Sequence, residues 1–294
     1  FGSVEEAAYG EEKVDFWDGD FSDDRACSEC YGAVELRNFL AKVTSLEKDD
    51  ISFVGEEIFP AEGDIFIVGC KGSNKNFAES ETEFASDQSF RIKAEKSRGR
   101  IVTRIEGSDR VGTLYGVYRY LNELGIRFYG LGEKGIVYPE GPVEIIEELD
   151  ILENPDYLTR GFYVWEDRDC GDEFFVWMGR NRMNLWTSVN QPVALLKKLG
   201  VLLADGSHDM HRLYLNPEGE YPYDHAKFDG DEDKPEDPYE VTDEYVGDVN
   251  NDGKLTYFEA HPEWYGLHDG ERSSNIEVWK GDNFCTSNDD ARKE

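Results

Sequence analysis

The segment DVNNDGKLTYFE, residues 248–259, has the spacing of a twelve-residue calcium-binding loop. In such a loop, oxygen atoms at positions one, three, five, seven, nine and twelve surround the ion, and a glycine at position six makes a sharp turn. We therefore predict Ca²⁺ as a structural cofactor; the alternative is an acidic turn without a metal. The predicted metal ligands are Asp248, Asn250, Asp252, Lys254 through its main-chain carbonyl, Thr256 and Glu259.

A second group of polar and aromatic residues follows two predicted strands, at residues 161–165 and 201–204. Open α/β sheets and barrels bind their ligands at the carboxyl ends of the strands. Aromatic faces and polar groups gathered there suit a sugar. We therefore predict that these residues bind a carbohydrate substrate. They are Trp165, Glu166, Asp167, His208, Asp209 and His211.

Other roles for this second group stay open from the sequence. Glu166 and Asp167 are adjacent, so a strand would point them to opposite sides, which makes a poor acid–base pair. These two acids could instead form ion pairs with the nearby arginines, Arg160 or Arg168. The two histidines could bind a metal together with Asp209, but a third clear ligand is missing. Burial of a histidine in the core is a further alternative, and no catalytic residue is assigned.

The five cysteines include a CxxC motif, Cys27 and Cys30, near the start of a predicted helix. A zinc site would need a second pair of ligands, and the other cysteines stand alone in the sequence. Packing in the core is therefore favoured over metal binding or redox chemistry. Because the count is odd, at least one cysteine is outside any internal disulfide.

The charge of the chain excludes some classes of partner. With 64 acidic and 31 basic residues among 294, the formal net charge is −33. Such a surface repels polyanions, so nucleic-acid binding is not expected. No apolar run reaches membrane-spanning length. We expect an extracellular or periplasmic, secreted protein whose leader is not part of this sequence.

The first half of the chain is predicted to form a small α/β domain. Apolar residues at helical spacing predict one helix over residues 27–43 and a second that is capped by Ser108 or Asp109 and ends at Gly125. Strands are predicted at residues 64–69, 90–94, 101–106 and 145–151. Within the second helix, Gly112 and Gly116 stand four residues apart, so this helix can lie close against a sheet.

The second half begins with alternating strands and helices. Strands at residues 161–165, 183–186 and 201–204 alternate with helices at 172–180 and 192–199. Short βα connections favour a parallel sheet, in either a doubly wound fold or a (β/α)8 barrel. An acidic insertion, 216–259, interrupts the pattern and contains the calcium loop.

The run VGTLYGVYRYLNELGIRFY, residues 111–129, resembles the helix of the small α/β domain that precedes the barrel in α-glucuronidases, glycoside hydrolases of the family 67 type. The order around it also matches: a helix with Glu35 and Leu36, a strand ending in Val-Gly, and a hairpin. This resemblance favours the barrel over the doubly wound sheet. It implies an accessory N-terminal domain without chemistry, and an inverting glycosidase whose catalytic carboxylates come from later barrel strands.

Two further resemblances concern the last part of the chain. GDVNNDGKLT is similar to half of a dockerin, but dockerins use two such segments, so a cohesin-type partner is not expected. The run HPEWY, with His261 and Glu263, matches uncharacterised members of the glycosidase-like group. These two residues are additional candidates for the cleft.

We therefore predict an N-terminal accessory domain over residues 1–153 and the first part of an incomplete (β/α)8 TIM-type barrel over 157–294. The predicted function is that of a glycoside hydrolase-like polypeptide acting on polysaccharide, including uronic-acid-bearing chains. Because the expected catalytic strands are missing, this chain alone is predicted to be inactive. The alternative is a non-catalytic carbohydrate-binding protein, or a calcium-dependent scaffold or adhesion protein.

Overall fold

The structure is a computed structural model that describes residues 1–16, 18–162, 170–186, 192–203, 210–224, 236–239, 247–276 and 283–294. The chain forms two compact units, Phe1–Ala204 and Asp205–Glu294. Residues 157–204, predicted to open the second domain, therefore belong to the same compact unit as the predicted accessory domain. In the described ranges, no helix has the length and apolarity needed to cross a membrane.

The first unit is built on a mixed four-stranded sheet with the order β1-β3-β2-β6. β1 and β3 are parallel, whereas β2 runs antiparallel to both β3 and β6. The predicted strands are thus confirmed, with the last one shifted toward the C-terminus. The elements of this part are α1 Val4–Ala8, α2 Phe21–Val43, β1 Ile65–Cys70, β2 Phe90–Ser97, β3 Arg100–Gly107, α3 Arg110–Glu123, β4 Arg127–Phe128, β5 Ile136–Val137 and β6 Leu149–Glu153.

Helix α3 packs against the sheet at very short range. Its start is capped by Asp109, whose side chain accepts a hydrogen bond from the Gly112 N–H at 2.6 Å. A Cβ atom on Gly112 would lie 2.2 Å from the Ser89 carbonyl oxygen, and one on Gly116 would lie 2.7 Å from Ile105. The predicted close approach of this helix is confirmed, because only glycine leaves room for it.

Helix α2 is six residues longer at its N-terminus than predicted, because Asp20 caps it by accepting a hydrogen bond from the Ser22 N–H at 3.0 Å. It packs on α3 and contributes Val34, Phe39 and Leu40 to the main hydrophobic core.

Two short strands, β7 Leu185–Trp186 and β8 Leu202–Leu203, continue the first unit in parallel order through the pairing of Leu185 with Leu202. Gly161 adds a single parallel bridge to Leu185, whereas residues 163–165 of the strand predicted there lie outside the described residues. The helices α4 and α5 pack on the same core. The described residues thus contain part of the predicted βαβαβ order and no closed barrel, so the barrel itself stays a prediction. The elements are α4 Gly171–Arg180, β7 Leu185–Trp186, α5 Val193–Lys198 and β8 Leu202–Leu203.

The second unit has its own small core around Trp264, Tyr257 and Tyr265, which are almost fully buried. Near the C-terminus, Asn288 caps a short helix by accepting hydrogen bonds from the N–H groups of Asp290 and Ala291. Its described elements are α6 Met210–Tyr214, α7 Tyr257–Ala260, β9 Leu267–His268, β10 Glu271–Arg272 and α8 Asp289–Lys293.

Candidate functional site

Strands β7 and β8 and the bridging segment at Gly161 run parallel, so their carboxyl ends lie at one edge. The predicted substrate-binding residues come after these ends in sequence, but most of them lie outside the described residues. This applies to Trp165, Glu166, Asp167, His208 and Asp209. His211 belongs to α6, but its side chain is not among those described.

An aromatic cluster lies beside this edge. Phe162 stacks on Trp177 with ring centroids 6.1 Å apart, and Phe174 meets Trp186 edge-on at 5.1 Å. Trp186 is only 2% exposed, and the Trp177 indole N–H donates to the Phe128 carbonyl at 3.1 Å. Both tryptophans therefore act as packing residues, and they give the adjacent edge a rigid base.

Arg160, at the entry to the first of these strands, makes a dense set of polar contacts. Its guanidinium donates to the Gln88 side-chain oxygen at 2.8 Å and to the Arg182 carbonyl at 2.9 Å, and it also bonds the Tyr157 carbonyl. Asn184 donates to the same Gln88 oxygen at 2.9 Å. These bonds fix the entry to the first strand against the loop that precedes β2.

The predicted calcium loop is described in full, and its backbone has the expected turn. Gly253 adopts a positive φ of 82°. The Asp248 carboxylate accepts hydrogen bonds from the Gly253 N–H at 2.8 Å and the Asp252 N–H at 3.1 Å, and Asp252 in turn accepts from the Lys254 N–H at 2.8 Å. The acidic side chains at positions one and five thus bond the loop's own backbone.

Glu259 closes the loop from helix α7. Its two carboxylate oxygens accept hydrogen bonds from the Val249 N–H at 2.7 Å and from the Thr256 N–H and hydroxyl at 2.9 Å each. Burial alone would raise the pKa of Glu259, but these hydrogen bonds outweigh it and hold the pKa below its usual value. The lowered pKa keeps Glu259 ionised, although the residue is only 5% exposed and has no salt-bridge partner among the described residues.

The loop is also tied to the start of the acidic insertion. Glu220 and Thr256 form an antiparallel bridge, and the Tyr221 N–H donates to the Leu255 carbonyl at 2.8 Å. Lys254 pairs with Glu220 at 3.2 Å on the surface.

The chemistry of the calcium loop suits a hard cation, because its donors are carboxylate, amide, hydroxyl and carbonyl oxygens. In the observed arrangement, however, the carboxylates face backbone N–H groups. No group of three or more His, Cys, Asp or Glu side chains in the described ranges is arranged to hold a metal ion.

The additional cleft candidates, His261 and Glu263, belong to a buried hydrogen-bonded chain. His261 Nδ1 lies 2.9 Å from Glu263 Oε1, and Nε2 lies 3.0 Å from the Tyr221 hydroxyl, which donates to Asp237. Both ring nitrogens therefore have partners, and the ring is held in place rather than offered as a base.

Packing reinforces this chain. The His261 ring is 1% exposed and stacks on Trp264 at 4.0 Å with an interplanar angle of 7°, while Tyr239 meets the same indole edge-on at 5.0 Å. Burial raises the pKa of Tyr221, and the hydrogen bond to Asp237 adds to the effect. A cavity of about 350 Å³ lies alongside, lined by Pro238, Tyr239, His261, Glu263, Trp264, Asp290 and Lys293.

All five cysteines are free thiols. Burial raises the pKa of Cys27 to about 12 and that of Cys30 to about 11. Since the thiolate is the nucleophile and metal ligand, these two residues act as packing residues, in agreement with the interpretation of the CxxC motif.

Comparisons with known proteins give little further support. No protein-family model and no curated protein matches the chain. Among solved structures, it is similar to one described as a novel family GH115 4-O-methyl-α-glucuronidase with specificity for decorated arabinogalactans, with a TM-score of 0.40 and 17% identity. The match covers 66% of this chain and 30% of that one, so the chain spans less than a third of the length of that enzyme. A likeness this weak does not establish a shared activity.

Proposed function

We propose that this chain is part of a glycoside hydrolase-like protein that binds polysaccharide at the carboxyl edge of the strands at Gly161, β7 and β8. The observation that supports this proposal is the parallel pairing of β7 with β8, together with a parallel bridge from Gly161 to Leu185 of β7. Parallel order brings the carboxyl ends of these segments to one edge. Trp165 comes three residues after Phe162, the last described residue of its segment, and His208 comes five residues after Leu203.

The proposed substrate is a polysaccharide fragment, with uronic-acid-bearing chains as the first class to test. Support comes from the residue types after the strands, an aromatic side chain beside acids and histidines, and from the resemblance of residues 111–129. Glu166, Asp167, Asp209 and His211 would contribute hydrogen bonds to sugar hydroxyl groups, while Trp165 would supply a stacking face.

Calorimetry with glucuronoxylan oligosaccharides tests this proposal. Trp165→Ala and Glu166→Gln should each weaken binding by about tenfold, the typical loss for a stacking or charged hydrogen-bonding contact. Tyr129→Ala is the matched control, because this tyrosine is 74% exposed. If neither variant differs from Tyr129→Ala, or if the unmodified chain binds no oligosaccharide, the proposed site is wrong.

We also propose that residues 248–259 bind Ca²⁺ as a structural staple. Asp248, Asn250, Asp252, Lys254, Thr256 and Glu259 would supply the oxygen ligands. Support comes from the spacing and from the positive φ of Gly253. In a calcium titration, Glu259→Gln should weaken binding strongly, whereas Asp289→Asn, an exposed acid on α8, should leave the affinity unchanged. Equal affinities for Glu259→Gln and the unmodified chain would remove this assignment.

A further inference from the structure

Strand β1 lies at one edge of the four-stranded sheet, and β3 is its only partner strand among the described residues. The Asn74 side chain donates to the Val68 carbonyl at 3.2 Å. The Cys70 N–H donates to the Ser73 hydroxyl at 3.0 Å. These bonds show that the main-chain groups of Val68 and Cys70 point away from β3. Since the main-chain groups of successive residues point to opposite sides of a strand, those of Phe66 also point outward.

Part of this outer edge carries no hydrogen bond. The N–H and carbonyl of Phe66 and the N–H of Val68 have no partner among the described residues. Residues 52–60 line the same cavity as β1, but they form no ladder and no main-chain hydrogen bond with it. A row of unpaired N–H and carbonyl groups at a sheet edge is a template for a further strand.

The sequence of β1 does not protect this edge. Exposed edge strands usually carry charged residues or proline, which prevent pairing with another chain. Strand β1 reads IFIVGC and has neither. The opposite edge strand, β6, contains Asp150 and Glu153, and both carboxylates are ion-paired with arginines. Of the two edges, β1 is therefore the one that can accept a strand.

A groove runs along this edge. Two cavities of about 470 Å³ each share Ile65, Phe66 and Val68 as lining residues. One cavity extends to residues 72–74 after the strand, and the other extends to residues 62–64 before it. The six residues of β1 span about 20 Å. The groove therefore suits an extended segment of about this length, with side chains that enter the two cavities.

The outer wall of the groove presents apolar side chains. Val54 lines both cavities and is 47% exposed, whereas Ile58 and Phe59 line the first cavity and are 60% and 52% exposed. Apolar side chains of a bound strand would remove this surface from water.

The charges at the groove favour a basic partner. The exposed charged residues that line the two cavities are all acidic; they are Asp50, Glu56, Glu62 and Asp64. The two arginines of the lining have partners of their own. Arg25 donates to the Gly72 carbonyl at 3.2 Å, and Arg37 pairs with Glu5 at 2.8 Å. Lysine or arginine residues beside the bound strand would complement these acids.

We propose that the free edge of β1 binds an extended segment of a partner protein, which adds a fifth strand to the sheet. The segment has apolar residues in its centre and basic residues at its ends. Main-chain hydrogen bonds to Phe66 and Val68 hold it, and the two cavities select its side chains. This surface is separate from both the carbohydrate edge and the calcium loop, and it does not depend on either.

The probe is a nine-residue peptide of alternating valine and threonine with two lysines at each end, and its binding to the full chain is measured by calorimetry. The control peptide is N-methylated at its five central residues. It keeps the charge but lacks the main-chain donors, so it should bind about tenfold more weakly. Equal binding of the two peptides would show only general attraction to an acidic surface, and it would overturn the proposal.

Amide hydrogen exchange, measured by NMR, locates the bound peptide. In the free chain, the N–H groups of Phe66 and Val68 should exchange fast, whereas that of Ile67 faces β3 and should exchange slowly. The peptide should slow exchange at Phe66 and Val68 and leave Ile67 unchanged. Slow exchange at both positions in the free monomer would mean that the chain covers its own edge. Slow exchange together with dimer formation in sedimentation would assign the edge to a second copy. Either result overturns the proposal.

Two variants test the residues. Val68→Pro removes an outward N–H and keeps the bonds to β3, so it should weaken peptide binding about fivefold. Glu62→Lys, which keeps its place on the surface if Val68→Pro fails to fold, should weaken binding about threefold. Asp156→Lys is the matched control, because this exposed acid follows β6 at the opposite edge. If Glu62→Lys binds the peptide as Asp156→Lys does, the proposed groove is wrong.

Discussion

The buried ion pair between Glu35 of α2 and Arg180 of α4 gives the sharpest test of how the first unit is held together. The guanidinium donates to Glu35 Oε2 from Nε at 2.9 Å and from the second terminal nitrogen at 2.8 Å. The side chains are 8% and 16% exposed. Arg180 also lies over the rings of Phe39 and Phe128 at 5.2 and 5.4 Å. The pair joins the accessory part of the chain to its first βα segment.

The perturbation is Glu35→Gln, which keeps the shape of the side chain and removes its charge. Breaking one partner of a buried pair leaves the other charge uncompensated and costs about 3–5 kcal/mol. For a unit of roughly 200 residues, about 2–4 °C of Tm is lost per kcal/mol, so the Tm should fall by about 6–20 °C.

Urea and thermal unfolding, followed by tryptophan fluorescence, measure this loss. The matched control is Asp150→Asn, because Asp150 forms a similar two-bond pair with Arg91 at 2.9 and 3.0 Å but is 54% exposed. A surface pair of this kind contributes about 1 kcal/mol or less. If Glu35→Gln destabilises the protein no more than Asp150→Asn does, the βα segment is not anchored to α2 through this pair.

Two further predictions concern buried positions. Burial raises the pKa of Glu29 to about 7 from 4.5, so its ionisation opposes folding, and stability should fall by up to about 3 kcal/mol as the pH rises from 4.5 through 7. Glu29→Gln should reduce the change of the denaturation midpoint with pH. An unchanged pH dependence in this variant would contradict the prediction. Gly112→Ala should lower the free energy of unfolding by about 1–3 kcal/mol, because the new methyl group would overlap the Ser89 carbonyl. Gly32→Ala should not destabilise the protein, because a Cβ atom there would lie 3.4 Å from its nearest neighbour. Equal effects of the two substitutions would refute the close approach of α3.

The local pattern of apolar residues was sufficient to predict most helices and strands of the first unit. The helical spacing in α2 and α3 and the short apolar runs of β1 to β3 reflect interactions between residues a few positions apart, which the sequence displays directly. The same holds for the cap of α8 and for the turn at Gly253, where single residue types dictate the backbone.

The extent of the first compact unit could not be predicted from the sequence. The sequence predicted a break near residues 153–157, because a Pro-containing linker comes after a strand there. Arg180 and Trp177 bind the segment after this linker to α2 and to Phe128, within the compact unit Phe1–Ala204. The domain boundary itself stays a prediction. Such contacts join residues more than 45 positions apart, so the periodicity of apolar residues along the sequence does not predict them.

The sequence by itself determined which segments are helical or extended, and from it we predicted the calcium ligands and the absence of polyanionic partners. Only the tertiary structure decided that His261 has partners on both ring nitrogens, one of them Tyr221, 40 residues away, and that Glu35 pairs with Arg180, 145 residues away. The physical reason is that secondary structure depends on neighbours along the chain, whereas burial and pairing depend on which distant side chains share a core.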